Sequence, residues 1–195
     1  MFLDKLIKRP LLFCCFMLAA LPSWANAGLP MLFVVYPGFM AAFIPVIFIE
    51  FFYLRKSFKN CSLKKLFCGV LGANLVSALL GVPLTWLAAL GVQMIFGGDT
   101  PYGLNGFGRK LYAAVVQAPW LIPYEDAWWL VPSAFTVIML YFFLSSWLIE
   151  YGVMYLLFHK SYDKVLIRES LFKANLISYI FLYVCGLIYW FTAGF

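Results

Sequence analysis

Residues 31–65 read MLFVVYPGFMAAFIPVIFIEFFYLRKSFKNCSLKK. From Met31 to Leu54 the stretch is apolar apart from Glu50, which is long enough for a helix to cross the roughly 30 Å hydrocarbon layer. The next residues, 55–65, hold Arg55, Lys56, Lys59, Lys64 and Lys65 and no acid. An apolar span that ends in a purely basic loop predicts a transmembrane helix delivered to the cytoplasmic side, because lysine and arginine excess sets orientation. Pro37 and Pro45 lie inside the span and predict a kink there.

The whole chain agrees with this reading. Of 195 residues, 65% are hydrophobic and only 11% charged, with mean hydropathy +0.94. A soluble domain carries about 25% charged residues, and a fold this small cannot hide so much apolar surface from water. The formal charge of +6 belongs to inner loops rather than to a nucleic-acid surface, for which no motif is present.

Upstream, Lys5, Lys8 and Arg9 precede an apolar run from Leu11 to Leu21, and Ala25-Asn26-Ala27 follows it. A basic start, a short apolar middle and a small-x-small exit predict a signal peptide over residues 1–27, cleaved before Gly28. The mature chain then starts outside the cytoplasm. Downstream, a second span is expected over 66–96, interrupted by Gly81 and Pro83 and therefore able to tilt or break. Residues 97–129 form an outer loop. In it Phe107, Leu111 and Val115 recur at four-residue spacing, predicting a short amphipathic helix on the membrane surface, and Trp120, Tyr124, Trp128 and Trp129 suit the headgroup layer. A third span covers 130–158 and a fourth 174–190, joined by a basic inner loop over 159–173. The expected fold is an all-α integral membrane protein, a four-helix transmembrane bundle with both mature termini periplasmic in a bacterial inner membrane.

The two inner loops have similar flanks. FIE50 is followed by AN74LVS77, and LIE150 by AN175LIS178. In each half an inward-running helix carries a glutamate and the returning helix carries Ala-Asn-Leu-aliphatic-Ser. Two such hairpins would be parallel repeats about an axis along the membrane normal. Asn and Ser three apart share one helix face, and a glutamate on a neighbouring helix can accept from either. Intramembrane carboxyls are costly and face the bundle interior or a water-filled cavity. By position along the chain, Glu150 is the deeper carboxyl, while Glu50, five residues from Arg55, is placed to snorkel, and Asn175 stands close to the interface beside Lys173.

Glu50, Asn74, Ser77, Glu150, Asn175 and Ser178 are therefore the candidate site, for a proton, a cation or a small polar solute. Four helices are few for a self-contained transporter, so this reading implies a homodimer or a membrane partner subunit. In the competing reading the protein is a non-transporting assembly, accessory or immunity-type factor, and the same residues are interhelical contacts. No enzymatic nucleophile, metal-ligand spacing or cofactor motif is present. Cys14, Cys15, Cys61, Cys68 and Cys185 are too scattered for a disulfide framework or a metal site. His159 has no partners for catalysis, and the adjacent Glu125 and Asp126 read as loop solvation.

Overall fold

The computed structural model describes residues 31–97, 105–118 and 129–192. The segment 1–27 expected as a signal peptide, most of the glycine-rich stretch of the expected outer loop, and Trp120, Tyr124, Glu125, Asp126 and Trp128 lie outside these. The described elements are helices: α1 (Met31–Ser57), α2 (Leu63–Phe96), α3 (Phe107–Gln117), α4 (Leu130–Phe158) and α5 (Lys164–Thr192). Three of them, α2, α4 and α5 as far as Ile188, are long and apolar enough to cross a membrane.

Each long helix hides a stripe at three- and four-residue spacing, which is one face of an α-helix. On α2 the stripe is Leu66, Gly69, Val70, Ala73, Asn74, Ser77, Gly81, Thr85 and Ala89, mostly small or polar. On α4 it includes Ala134, Ile138, Phe142, Ser146, Glu150, Met154 and Phe158. The opposite faces expose Leu79, Leu84, Leu87, Leu140, Leu148 and Leu156. Bulky aliphatics outward and small or polar residues inward is the order expected where lipid is the solvent and close approach drives helix association.

Helix α1 packs on α2 and α5, α2 packs on α4, and α4 packs on α5, so the long helices follow one another around a common axis. Gly69 allows α2 to approach α4: a Cβ there would stand 3.0 Å from the Phe158 ring and 3.3 Å from Met154 Sδ. At the other end of the assembly, the Phe135 ring fills the space a side chain would need at Gly186.

The turns are tighter than hydropathy suggests. Residues 58–62 join α1 to α2, where Cys61 N–H donates to Phe58 O at 3.1 Å and Ser62 Oγ caps α2 by accepting from Lys65 N–H at 3.3 Å. Residues 159–163 join α4 to α5, where Ser161 and Tyr162 N–H both donate to Phe158 O. The helices run into the segments expected as loops over 55–65 and 159–173, and α5 starts at Lys164. Hydropathy marks where a chain leaves hydrocarbon, whereas lysine, arginine and glutamate keep it helical beyond that point. Helix α2 likewise continues unbroken through Gly81 and Pro83.

The amphipathic segment is helical as expected. It docks through Ala113, Ala114 and Val116, against a cluster that includes Leu130 and Trp129. Of its predicted stripe, Phe107 is 83% exposed and Leu111 also exposed, while Val115 is half-buried. Tyr112 O–H donates to Phe96 O at the end of α2, and Lys110 Nζ lies 5.3 Å from the Trp129 ring centroid.

Candidate functional site

The polar residues of the four long helices meet at one level. Glu50 from α1, Asn74 and Ser77 from α2, Glu150 from α4, and Asn175 and Ser178 from α5 are all buried. Glu50, at 1% exposure, and Asn175, at 0%, both point into the bundle. The reach to the helix end that places Glu50 within snorkelling distance is overridden by two donors waiting inside.

Asn74 Nδ2 donates to Glu50 Oε2 at 2.7 Å, and Asn175 Nδ2 donates to Glu150 Oε2 at 2.7 Å. The serines cross over. Ser178 Oγ donates to Glu50 Oε1 at 2.7 Å and Ser77 Oγ to Glu150 Oε1 at 2.9 Å. Each carboxyl is thus held by the asparagine of its own hairpin and the serine of the other. Both carboxyls border one cavity. Among the described residues no basic side chain bonds to either glutamate.

The orientation of each amide is fixed by a second bond. Asn74 Nδ2 also donates to Val70 O at 3.1 Å, and Asn175 Nδ2 to Leu171 O at 3.3 Å, each four residues back on its own helix. Both amide hydrogens are used, so Oε2 of each glutamate always faces a donor. The serines differ. Ser77 Oγ also lies 3.0 Å from Asn74 O, and Ser178 Oγ 3.0 Å from Asn175 O. A hydroxyl has one hydrogen and two acceptor lone pairs. It can give that hydrogen to an ionised carboxylate, or to the helix carbonyl while accepting from a protonated carboxyl. The same heavy-atom positions serve both protonation states.

The correspondence between halves extends beyond the motif. Leu54 and Phe58 stand four and eight residues after Glu50, as Met154 and Phe158 do after Glu150. Val70 and Leu66 precede Asn74 as Leu171 and Ile167 precede Asn175, and all eight residues are buried in one cluster. One difference is that Asn175 Oδ1 is buried with no hydrogen-bond partner among the described residues, whereas Asn74 borders a cavity.

That cavity, of about 80 Å³, is bordered by both glutamates, Asn74, Ser77, Ser146 and Tyr179 and by apolar side chains. Ser146 Oγ and Tyr179 Oη bond at 2.7 Å. Thr85 Oγ1 donates to Ser145 Oγ at 3.0 Å, and Thr136 Oγ1 and Tyr183 Oη bond at 3.0 Å. Reading the sequence for a repeated motif passes over these hydroxyls; Ser146 and Tyr179 stand where the other half has Val46 and Ala78. Their signal was one-face spacing with Glu150: Ser146 lies one turn before it on the same buried stripe. His159 ends α4, with Nδ1 3.0 Å from Tyr155 O, so its role there is a helix cap. Among the described residues no group of three or more His, Cys, Asp or Glu side chains is placed to hold a metal ion.

Comparison of the chain with protein-family models, with curated proteins and with solved structures finds no match. The chemistry of the site therefore carries the functional reading.

Proposed function

We propose that the protein is a multi-pass inner-membrane protein of four spans, built from two parallel helical-hairpin repeats, in which Glu50 and Glu150 form a proton-carrying pair. It acts as a small transport component, alone as a homodimer or with a membrane partner subunit. The observation that carries this reading is the double environment of Ser77 Oγ and Ser178 Oγ, each between a carboxyl oxygen and a helix carbonyl. When a proton leaves Glu150, Ser77 turns its hydrogen from Asn74 O to the carboxylate. When a proton returns, the carboxyl donates to Ser77 Oγ and the hydroxyl goes back to the carbonyl. No heavy atom needs to move.

The same donors argue for a proton over a metal cation. Oε2 of each carboxyl faces an amide N–H that is always directed at it, and that hydrogen would repel a cation placed beside it. Both glutamates border one cavity, and two carboxyls that share a site are favourable with one proton between them and unfavourable as two anions.

The test is proton flux by purified protein in liposomes loaded with a pH-sensitive dye, comparing wild type with Glu50→Gln and Glu150→Gln. Glutamine keeps the shape and hydrogen bonds of a protonated glutamate and cannot release the proton. Flux in wild type that falls to the level of empty liposomes in both variants, with melting temperatures kept, supports the proposal. Flux unchanged by either substitution overturns it and assigns the polar set to helix packing, the role of an assembly or accessory factor.

A further inference from the structure

The carboxyl pair sits in unlike surroundings on its two sides. Toward the turns at 58–62 and 159–163, Leu54, Phe58, Leu66, Met154, Phe158 and Ile167 fill the axis, each no more than 1% exposed. The Phe58 and Phe158 rings meet edge to face at 5.6 Å, and Tyr162 covers Phe58 at 4.7 Å. None of these six side chains carries a polar group that could relay a proton.

Away from the turns the surroundings reverse. The cavity beside the glutamates is bordered by Val46, Ser77, Val82, Ser146, Tyr179 and Leu182. Val46 and Ser146 each precede a glutamate by one turn on helices running toward the turns, and Val82, Tyr179 and Leu182 follow the asparagines on helices running away. The open space therefore lies on one side of the carboxyls. Its volume holds several water molecules, and the two carboxyls, the Ser146 hydroxyl and the Tyr179 phenol supply the two to four polar partners that a buried water requires. Farther along stand two further hydroxyl pairs, Thr85–Ser145 and Thr136–Tyr183, with the buried Ile138 and Phe142 on α4 between them. Thr136 stands fourteen residues before Glu150, about 21 Å along the helix at 1.5 Å per residue.

We infer that the carboxyl pair exchanges protons with one face of the membrane only, the face away from the basic turns, through this cavity. The phenylalanine layer closes the other route. The inference rests on the proposed function for the identity of what moves, but the access path is tested separately. If the protein carries protons across, release toward the turns requires Phe58 and Phe158 to separate.

The experiment is a blocking assay with silver ion, which is close to water in size and reacts with thiols. Cys14, Cys15, Cys61, Cys68 and Cys185 are replaced, and single cysteines are introduced at Ser146 and Val82 in the cavity and at Met154 and Val70 in the closed layer. Sealed vesicles of both orientations receive silver briefly. The membrane is then dissolved in denaturant, and unblocked thiols are tagged with a maleimide. Protein carrying Cys61 alone marks the turn side. Ser146→Cys and Val82→Cys should be blocked only in vesicles where Cys61 is protected, and Met154→Cys and Val70→Cys in neither.

Val82 is half-buried and loses only part of its side chain on substitution, so it serves where Ser146→Cys unfolds. Blocking of the cavity cysteines from the Cys61 side, or from neither side in folded protein, overturns the inference, as does blocking of Met154→Cys from the Cys61 side. One-sided blocking together with flux indifferent to the glutamates leaves the access path standing and removes the proton reading. Glutamate-dependent flux with blocking from the Cys61 side does the reverse.

Discussion

Ser77 and Ser178 each lie within hydrogen-bond distance of a carboxyl of the opposite hairpin and of their own helix's carbonyl three residues back. The asparagines have no such choice, because both amide hydrogens are committed. The two residue types should therefore fail differently. Asn74→Ala or Asn175→Ala leaves a buried carboxyl oxygen without its permanent donor and should destabilise the protein by about 1–3 kcal/mol, read as a lower midpoint in detergent or denaturant unfolding. Ser77→Ala and Ser178→Ala remove the group that follows the proton and should slow flux more than they lower that midpoint. Equal stability losses in both pairs with no difference in flux would show that the serines only pack. Because Ser178 binds Glu50 and Ser77 binds Glu150, a double-mutant cycle on either crossed pair should give a coupling of about 0.5–3 kcal/mol. A near-zero coupling would place the real contact elsewhere.

Among the helices, the most extensive packing is between α2 and α4, and part of it depends on what is missing from Gly69. Gly69→Leu would press its side chain into Phe158 and Met154. Overpacking of this kind costs about 1–3 kcal/mol, and here it also pushes on the closed layer beside the turns. The expected result is a lower unfolding midpoint together with blocking of Met154→Cys from the Cys61 side. An unchanged midpoint would mean that α2 and α4 shift apart easily and that the layer is not a firm closure. Helix α3 makes a different demand. Its docking face is built of alanines and Val116, while Phe107 and Leu111 point outward, which suits the headgroup boundary of a bilayer. A spin label at Phe107→Cys should be quenched more strongly by lipid-soluble oxygen than by a water-soluble nickel chelate. The opposite ranking would place α3 in water.

For the molecule as a whole, the basic turns fix the proposed orientation. Phosphatase fused after the last residue should be active and phosphatase fused at Asn60 inactive, because the former enzyme folds only outside the cytoplasm. The mature chain should begin at Gly28 when sequenced from its N-terminus. Activity at both fusion sites, or at neither, would overturn the four-span topology. Its exposed faces are rows of leucine and isoleucine on α2, α4 and α5, and these need lipid or another subunit around them.

Membrane class, helix positions and the identity of the polar residues were legible in the residues alone, because a bilayer imposes length, apolarity and loop charge on each segment separately. Glu50, Glu150 and the two Asn-x-x-Ser faces could be named from chemistry and spacing, since a carboxyl inside a span is costly enough to be conspicuous. Burial was not legible: counting from Arg55 placed Glu50 to snorkel, whereas Asn74 and Ser178 on neighbouring helices hold it inside the bundle. The crossing of the serines between hairpins, the position of the cavity on one side of the carboxyls and the phenylalanine layer on the other were decided by tertiary packing. Each depends on which helix stands beside which, and lipid-facing spans with near-uniform apolar composition carry little local record of their neighbours. A helix period tells which residues share a face; what that face meets is set by close approach at Gly69 and Ala73, and that is a property of the assembled helices.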